Sequence, residues 1–362
     1  MFGVAVNSLS SDFDVKPFQI LSLSGGGYKG LYTAKFIDYV EEHTGKPIGV
    51  HFDLICGTSV GGILALALAT REIKASTIVE KLQEFGPILF TEIELPGFWG
   101  SPERLPRKYI DRKAYEMFGF TLDRGIAKAK HDNTALKQGL EQIFQDLKVE
   151  DLKTRVLIPA ANWTKGKPQF FKTPHNSKIM VDPKRRLVDV AMATSAAPIY
   201  LPNYEIDSQV FVDGGLVGNA PGIFGVHEAE HLIDDDIDIN NIRLLAVGAL
   251  SSRTTANQSE DLDRGIAQWG GKIFDFMIAC QEQTSHFMLQ HKMGDQYYMI
   301  DEHVSTEQDK VISLDKANKG ATKTLLGLAQ ATFQKEIGEE GLWKFMGNAA
   351  PELDFRSQRE AV

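Results

Sequence analysis

Two cysteines, Cys56 and Cys280, are all that 362 residues carry. That is too few for a disulfide framework or a four-cysteine zinc site, and a reducing compartment is the simplest setting. Long apolar runs are also missing. The longest, Ile63 to Ala69, falls far short of the roughly 20 residues that span a bilayer. Met1 to Lys16 has no basic start followed by an apolar stretch, so it does not read as a secretory signal, and a cytoplasmic location is expected. Positive charge is in deficit: 39 Lys and Arg face 48 Asp and Glu, for a net charge of −9. With no cationic stripe to offset it, binding built on phosphate neutralisation is excluded, so neither DNA nor RNA is an expected partner. Repeats and low-complexity linkers are absent. With 43% hydrophobic residues, the chain has the material for an ordinary packed core.

Phe18 to Ser24 reads as a strand, Gly25 to Gly30 as a glycine turn, and Leu31 to His43 as an amphipathic helix. Phe52 to Cys56 repeats the pattern, running through Gly57-Thr58-Ser59-Val60-Gly61-Gly62 into the small-residue helix Ile63 to Thr70. Two strand-turn-helix units in succession predict a parallel sheet with helices packed on it. Further strands are expected at Arg155 to Ala160, Gln169 to Lys172, Val210 to Val212 and Ile242 to Gly248, and helices at Leu187 to Ala196, Gly222 to Ile233 and Ala317 to Ile337. One domain then covers residues 18–335, between an N-terminal segment, 1–17, and a polar C-terminal tail, 336–362. Within it, Gly86 to Arg112 carries four prolines and the aromatics Phe90, Phe98, Trp99 and Tyr109, the composition of a long loop or cap. Asp234-Asp235-Asp236 reads as a solvated loop.

Gly57-Thr58-Ser59-Val60-Gly61 is a G-x-S-x-G sequence placed between a strand and a helix. In that setting the small flanking residues allow a sharp turn that lifts the serine hydroxyl above the sheet. Gly25-Gly26-Gly27-Tyr28-Lys29-Gly30 presents three residues without Cβ at the start of a helix, where backbone N–H groups can approach a developing oxyanion. Asp213-Gly214-Gly215 follows a short strand. Its carboxylate is either a turn former or a base reachable from a neighbouring loop, and partial burial would raise its pKa toward that of a useful base. Lys29 either holds its loop or attracts an anionic substrate.

These three motifs occur in an order that resembles the patatin-like phospholipase family, and Ser195-Ala196-Ala197-Pro198 with Leu201-Pro202 ahead of Asp213 extends the resemblance from about Phe18 to Gln334. The resemblance implies a three-layer α/β/α sandwich with a mostly parallel central sheet. It also implies a Ser59/Asp213 dyad without histidine, an oxyanion hole at Gly25, Gly26 and Gly27, and support for these motifs from Lys29, Gly30, Gly57, Gly61, Gly214 and Gly215. The implied reaction is hydrolysis of glycerophospholipid acyl esters through an acyl enzyme, with no cofactor or metal and with peripheral membrane contact. One departure is Gly248-Ala249-Leu250, where many relatives have a Gly-Thr-Gly turn. Bacterial patatins of this size include anti-phage effectors switched on by a cyclic oligonucleotide. Trp163, Phe170, Phe171 and Lys165 to Lys172 have a composition suited to such an activator, or to a plain hairpin. A homo-oligomer is left open.

Two rival sites share the chain. The Gly25-Gly30 loop also matches G-x-G-x-x-G after a strand, with Asp53 downstream, as a dinucleotide-binding protein requires. His227-Glu228-Ala229-Glu230-His231 matches the H-E-x-x-H of zinc peptidases. A catalytic triad would instead draw on His227, His231, His286, His291 or His303, none of which sits in a motif of its own.

Overall fold

Alternation decides which face of the sheet each strand residue covers. In β1 (Phe18–Leu23), Leu21 and Leu23 join one apolar cluster while Phe18 and Ile20 join another. β2 (Leu54–Gly57) divides in the same way: Ile55 goes to the first cluster, Leu54 and Cys56 to the second. A sheet buried on both faces needs helices on both, because each row of apolar side chains must leave water. The first face is covered by the helices Gly30–Thr44, Val60–Leu68, Ala75–Leu89, Leu187–Thr194 and Lys319–Glu336. The second is covered by Gly222–His231 and Lys272–Met293, through Val226, Ala229, Leu289 and Met293. The result is a three-layer α/β/α sandwich.

The computed structural model describes residues 16–91, 128–231, 233, 237–250 and 272–360. Its eight-stranded sheet also contains β3 (Arg155–Asn162), β4 (Lys167–Lys172), β5 (Tyr204–Ile206), β6 (Gln209–Val212), β7 (Ile242–Val247) and β8 (Tyr297–Ile300). The order is β5-β6-β3-β2-β1-β7-β8, with β4 on β3. β3, β2, β1, β7 and β8 run parallel, and β4 and β6 run antiparallel to β3. Leu157 pairs with both Cys56 and Lys172, and Ala161 with both Val212 and Pro168. Since β4 occupies one edge of β3, β2 and β6 share the other. They run toward each other along it, so their ends meet near Pro159.

The expected strands and principal helices are present within one to three residues, and β5 and β8 are additional. Two boundaries change. Gly86 to Leu89 belong to the last turn of the helix Ala75–Leu89, so the expected cap cannot begin at Gly86; residues 92–112 lie outside the described residues, as do Asp234, Asp235 and Asp236. The expected polar tail is folded. Its helices Glu340–Met346 and Phe355–Glu360 bury Leu342, Phe345 and Phe355, and Phe345 stacks on Phe52 at 6.1 Å. These side chains lie between charged residues, so composition hides an apolar face that spacing carries. Among the described residues no helix is long and apolar enough to cross a membrane.

Candidate active site

The meeting of β2 and β6 on one edge of β3 puts Ser59 and Asp213 at the same place. Ser59 follows β2 with φ 54° and ψ −126° and caps the helix Val60–Leu68. A non-glycine residue held at positive φ is strained, and here the surroundings enforce the strain. A Cβ at Gly61 would stand 2.3 Å from the Leu23 carbonyl oxygen, and one at Gly57 2.1 Å from that of Gly61. Only glycine lets the turn pack this tightly against β1. Gly30 meets the Val60 side chain in the same way.

Asp213 follows β6 and is buried. Burial pushes its carboxyl up to about 6, against the opposing effects of the Gly215 N–H, which donates to Oδ1 at 2.6 Å, and of a hydrogen bond with the Ser59 side chain. Gly214 lies against β3, where a Cβ would approach the Pro159 carbonyl oxygen to 2.2 Å. Sequence reasoning missed the residue that binds the two turns together. Thr194, at the end of the helix Leu187–Thr194, donates its hydroxyl to the Pro159 carbonyl at 2.6 Å and accepts the Ser59 N–H at 3.1 Å. Its own carbonyl accepts the Gly214 N–H at 3.0 Å.

The glycine loop divides its labour. The Gly25 N–H is taken by the Asn219 carbonyl at 3.1 Å, and Asn219 Nδ2 donates back to the Gly25 carbonyl at 3.1 Å. Gly25 therefore supplies close approach, with a Cβ 3.2 Å from that of Ser59, rather than the expected oxyanion donor. The N–H groups of Gly26 and Gly27 make no backbone hydrogen bond among the described residues. Gly27, at φ +54°, is pressed against Leu314, whose carbonyl accepts the Tyr28 N–H at 2.8 Å. Lys29 is buried, and its Nζ donates to the Leu250 carbonyl at 2.8 Å. Burial lowers its pKa, partly offset by Glu282, Asp301, Asp309 and Asp275. Lys29 thus ties the glycine loop to Leu250, and it also lines the pocket. Gly248-Ala249-Leu250 closes the far wall: Leu250 accepts from Lys29, while Gly248 accepts from the Thr33 hydroxyl at 2.9 Å.

A second clasp comes from the helix Lys272–Met293. Gln281 accepts the Asn219 N–H at 2.8 Å and donates to the Val217 carbonyl at 2.9 Å. Glu282 lines the pocket; burial and then Asp301 push its carboxyl up to about 7, against Lys29, Ser24 and Asn219. The pocket has a volume of about 340 Å³ and runs from Ser59, Asp213 and Gly25 to Gly27 into an apolar groove between the helices Ala75–Leu89 and Thr134–Phe144. Ile63, Ile78, Leu82, Leu89, Leu140 and Ile143 line that groove.

The rival sites are not assembled. Asp53 precedes β2 and accepts the Gln19 N–H at 2.9 Å, which puts it at the opposite end of the strand from the glycine loop, where no ribose bound to that loop could reach it. Glu228 is turned inward onto Lys172 at 2.6 Å and His175 at 2.9 Å, so it is not free to act as a zinc peptidase's base. His227 and His231 pack edge to face at 5.0 Å, and the described residues hold no group of three side chains disposed to bind a metal. His286 bonds Tyr297 at 2.6 Å and His291 the Phe287 carbonyl at 2.9 Å; among the described residues no histidine lines the pocket. In the β3–β4 hairpin Phe171 is buried and Lys172 is paired, leaving Trp163, Lys165 and Lys167 exposed.

A family model described as patatin-like phospholipase matches residues 21–222. The chain is 40% identical to a cGAMP-activated phospholipase of Pseudomonas aeruginosa, over 93% of this chain and 94% of that protein. It is 33% identical to a cGAMP-activated phospholipase of Vibrio cholerae, covering 85% of this chain and 88% of the relative. A third relative of that description, from Escherichia coli, is 31% identical over 87% of this chain and 88% of its own length.

Proposed function

This chain belongs to the patatin-like phospholipase family and is a lipid ester hydrolase, and from that premise we propose that it cleaves glycerophospholipid acyl esters with Ser59 and Asp213 alone. The observation that carries the reading is a buried carboxylate hydrogen-bonded to a strained serine, in a pocket to which no described histidine contributes. Ser59 Oγ attacks the ester carbonyl carbon and its proton passes to Asp213. Charge then builds on the carbonyl oxygen, which the N–H groups of Gly26 and Gly27 and the first turn of the helix Val60–Leu68 are disposed to receive. As the bond to the glycerol oxygen breaks, Asp213 returns the proton to the leaving alcohol. Water then adds to the acyl enzyme, loses a proton to Asp213 and releases the fatty acid; Ser59 regains its hydrogen. The apolar groove holds the acyl chain, since burying it there removes apolar surface from water.

The relatives described as cGAMP-activated support a second part of the proposal: a cyclic nucleotide switches this chain on, and its product is membrane damage in antiviral defence. The test is lipid release from phospholipid vesicles followed by mass spectrometry, with and without a panel of cyclic dinucleotides. Fatty acid and lysophospholipid are expected to rise with one of them and to be absent for Ser59→Ala, whose melting temperature should match the parent. Turnover by pure Ser59→Ala overturns the nucleophile. Release indifferent to every cyclic nucleotide overturns the switch.

A further inference from the structure

The helix Lys272–Met293 packs one face into the fold and carries large exposed apolar side chains on the other. Ile278, Glu282, Ser285, Leu289 and Met293 point inward, toward the pocket and the second apolar cluster. On the opposite face Ile273 is 46% exposed, Phe276 41%, Met277 59%, Phe287 64% and Met288 49%. At 100° per residue these positions fall on one side of the helix, in two groups about 15 Å apart with exposed Cys280 and Thr284 between them, over about 22 Å in all. Scattered exposed apolar residues are ordinary, but several large ones gathered on one side of a single helix mark a contact surface.

Charge narrows the identity of the partner. The chain is acidic, at net −9, yet the exposed positions of this helix between Ile273 and Lys292 include no acid; its acids Asp275 and Glu282 turn toward the pocket. The basic residues His291 and Lys292 end the exposed face, Lys292 pairing with Glu230 at 2.6 Å. An acid-free apolar face on an acidic protein suits a lipid surface, where a carboxylate would be repelled by anionic headgroups and costly to desolvate. Position agrees with charge. The helix Gly215–Gly218 packs against this one, and its Leu216, 42% exposed, adjoins Gly215 in the pocket wall.

We propose that the outer face of the helix Lys272–Met293, extended by Leu216, is the surface by which this protein docks on a phospholipid bilayer. This rests on the reading of the chain as a lipid acyl hydrolase. Docking there would bring the pocket to about one helix diameter, 10–12 Å, from the headgroups. The test uses the full chain carrying Ser59→Ala in flotation with phosphatidylcholine vesicles, beside Met277→Glu/Phe287→Glu in the same background. Neither substituted position lines the pocket. The paired acids should lower the bound fraction at least about ten-fold, since each withdraws a large apolar side chain from the contact. With Ser59 restored, they should reduce vesicle hydrolysis while leaving hydrolysis of a water-soluble short-chain ester unchanged. Unchanged flotation overturns the docking surface. Equal loss on vesicles and soluble ester overturns it too, because the substitutions would then be acting on the site. A smaller particle in sedimentation velocity assigns the face to a second copy of the chain and also overturns it. These hydrolysis assays include the panel of cyclic dinucleotides; failure of the parent chain on both substrates with every one of them counts against the hydrolase reading itself, while flotation of the Ser59→Ala chain still reports on docking.

Discussion

In the proposed mechanism Asp213 is the base of the site. In water an aspartate is a poor base for a serine, and burial raises this one to about 6. It must be ionised to accept the proton, so kcat/KM on a soluble ester should climb with pH through about 6 and then level. Asp213→Asn should lower kcat by several orders of magnitude, because an amide cannot take the proton. Folding responds in the opposite sense. A carboxyl whose pKa is higher in the folded state than in the unfolded one binds its proton more tightly when folded, and that stabilisation is lost as pH rises from about 4 to about 6. Asp213→Asn should therefore gain stability over the parent across that window, by on the order of 2 kcal/mol at pH 7. Thermal melts of both proteins at pH 4.5 and 7.5 measure it, and a parallel pH response would show that Asp213 is not the buried acid described. Glu282, raised to about 7, also lines the pocket. Glu282→Gln should leave the limb at about 6 in place, which separates the two carboxyls.

At the scale of elements, three turns from distant parts of the chain are pinned by the end of one helix and one side of another. Thr194 joins the serine turn, β3 and the aspartate turn. Thr194→Val keeps the shape but leaves the Ser59 N–H and the Pro159 carbonyl without their partner, which costs about 1–3 kcal/mol in a buried setting. Stopped assays on a soluble ester should show kcat down ten- to a hundred-fold with KM little changed, and Thr194→Ser should recover most of it. Equal loss in both variants would mean that the methyl packing matters and the hydroxyl does not. Ser59, Asp213 and the glycines were legible because each sits in a short run whose composition requires a turn. Thr194, Asn219 and Gln281 were not. Each acts on a partner remote in sequence, 135 residues away for Thr194 and Ser59 and 194 for Asn219 and Gly25, and nothing local marks them. Gly25 shows the converse: its type and place were readable, but the loss of its N–H to Asn219 depends on a turn from the other half of the fold.

Across the whole molecule, the sequence pattern fails where apolar residues are diluted by charge. The segment after Ile337 reads as a polar tail, yet Leu342, Phe345 and Phe355 complete the first apolar cluster, and Gln19 at the start of β1 donates to the Phe345 carbonyl at 2.9 Å. Removing residues 339–362 strips three buried side chains worth about 1.5–3 kcal/mol each, from a total stability of roughly 5–15 kcal/mol. The shortened chain should be insoluble or melt at least about 10 °C lower by differential scanning fluorimetry; melting within two degrees of the parent would refute this packing. A last consequence follows from β2 and β6 meeting end to end on one edge of β3. A chain emerging from the ribosome makes Ser59, the proposed nucleophile, early, but Asp213, the proposed base, arrives only when β6 has been synthesised and has paired with Ala161 and Asn162. A nascent chain that ends before Asp213 therefore lacks half of the proposed dyad and should hydrolyse no lipid.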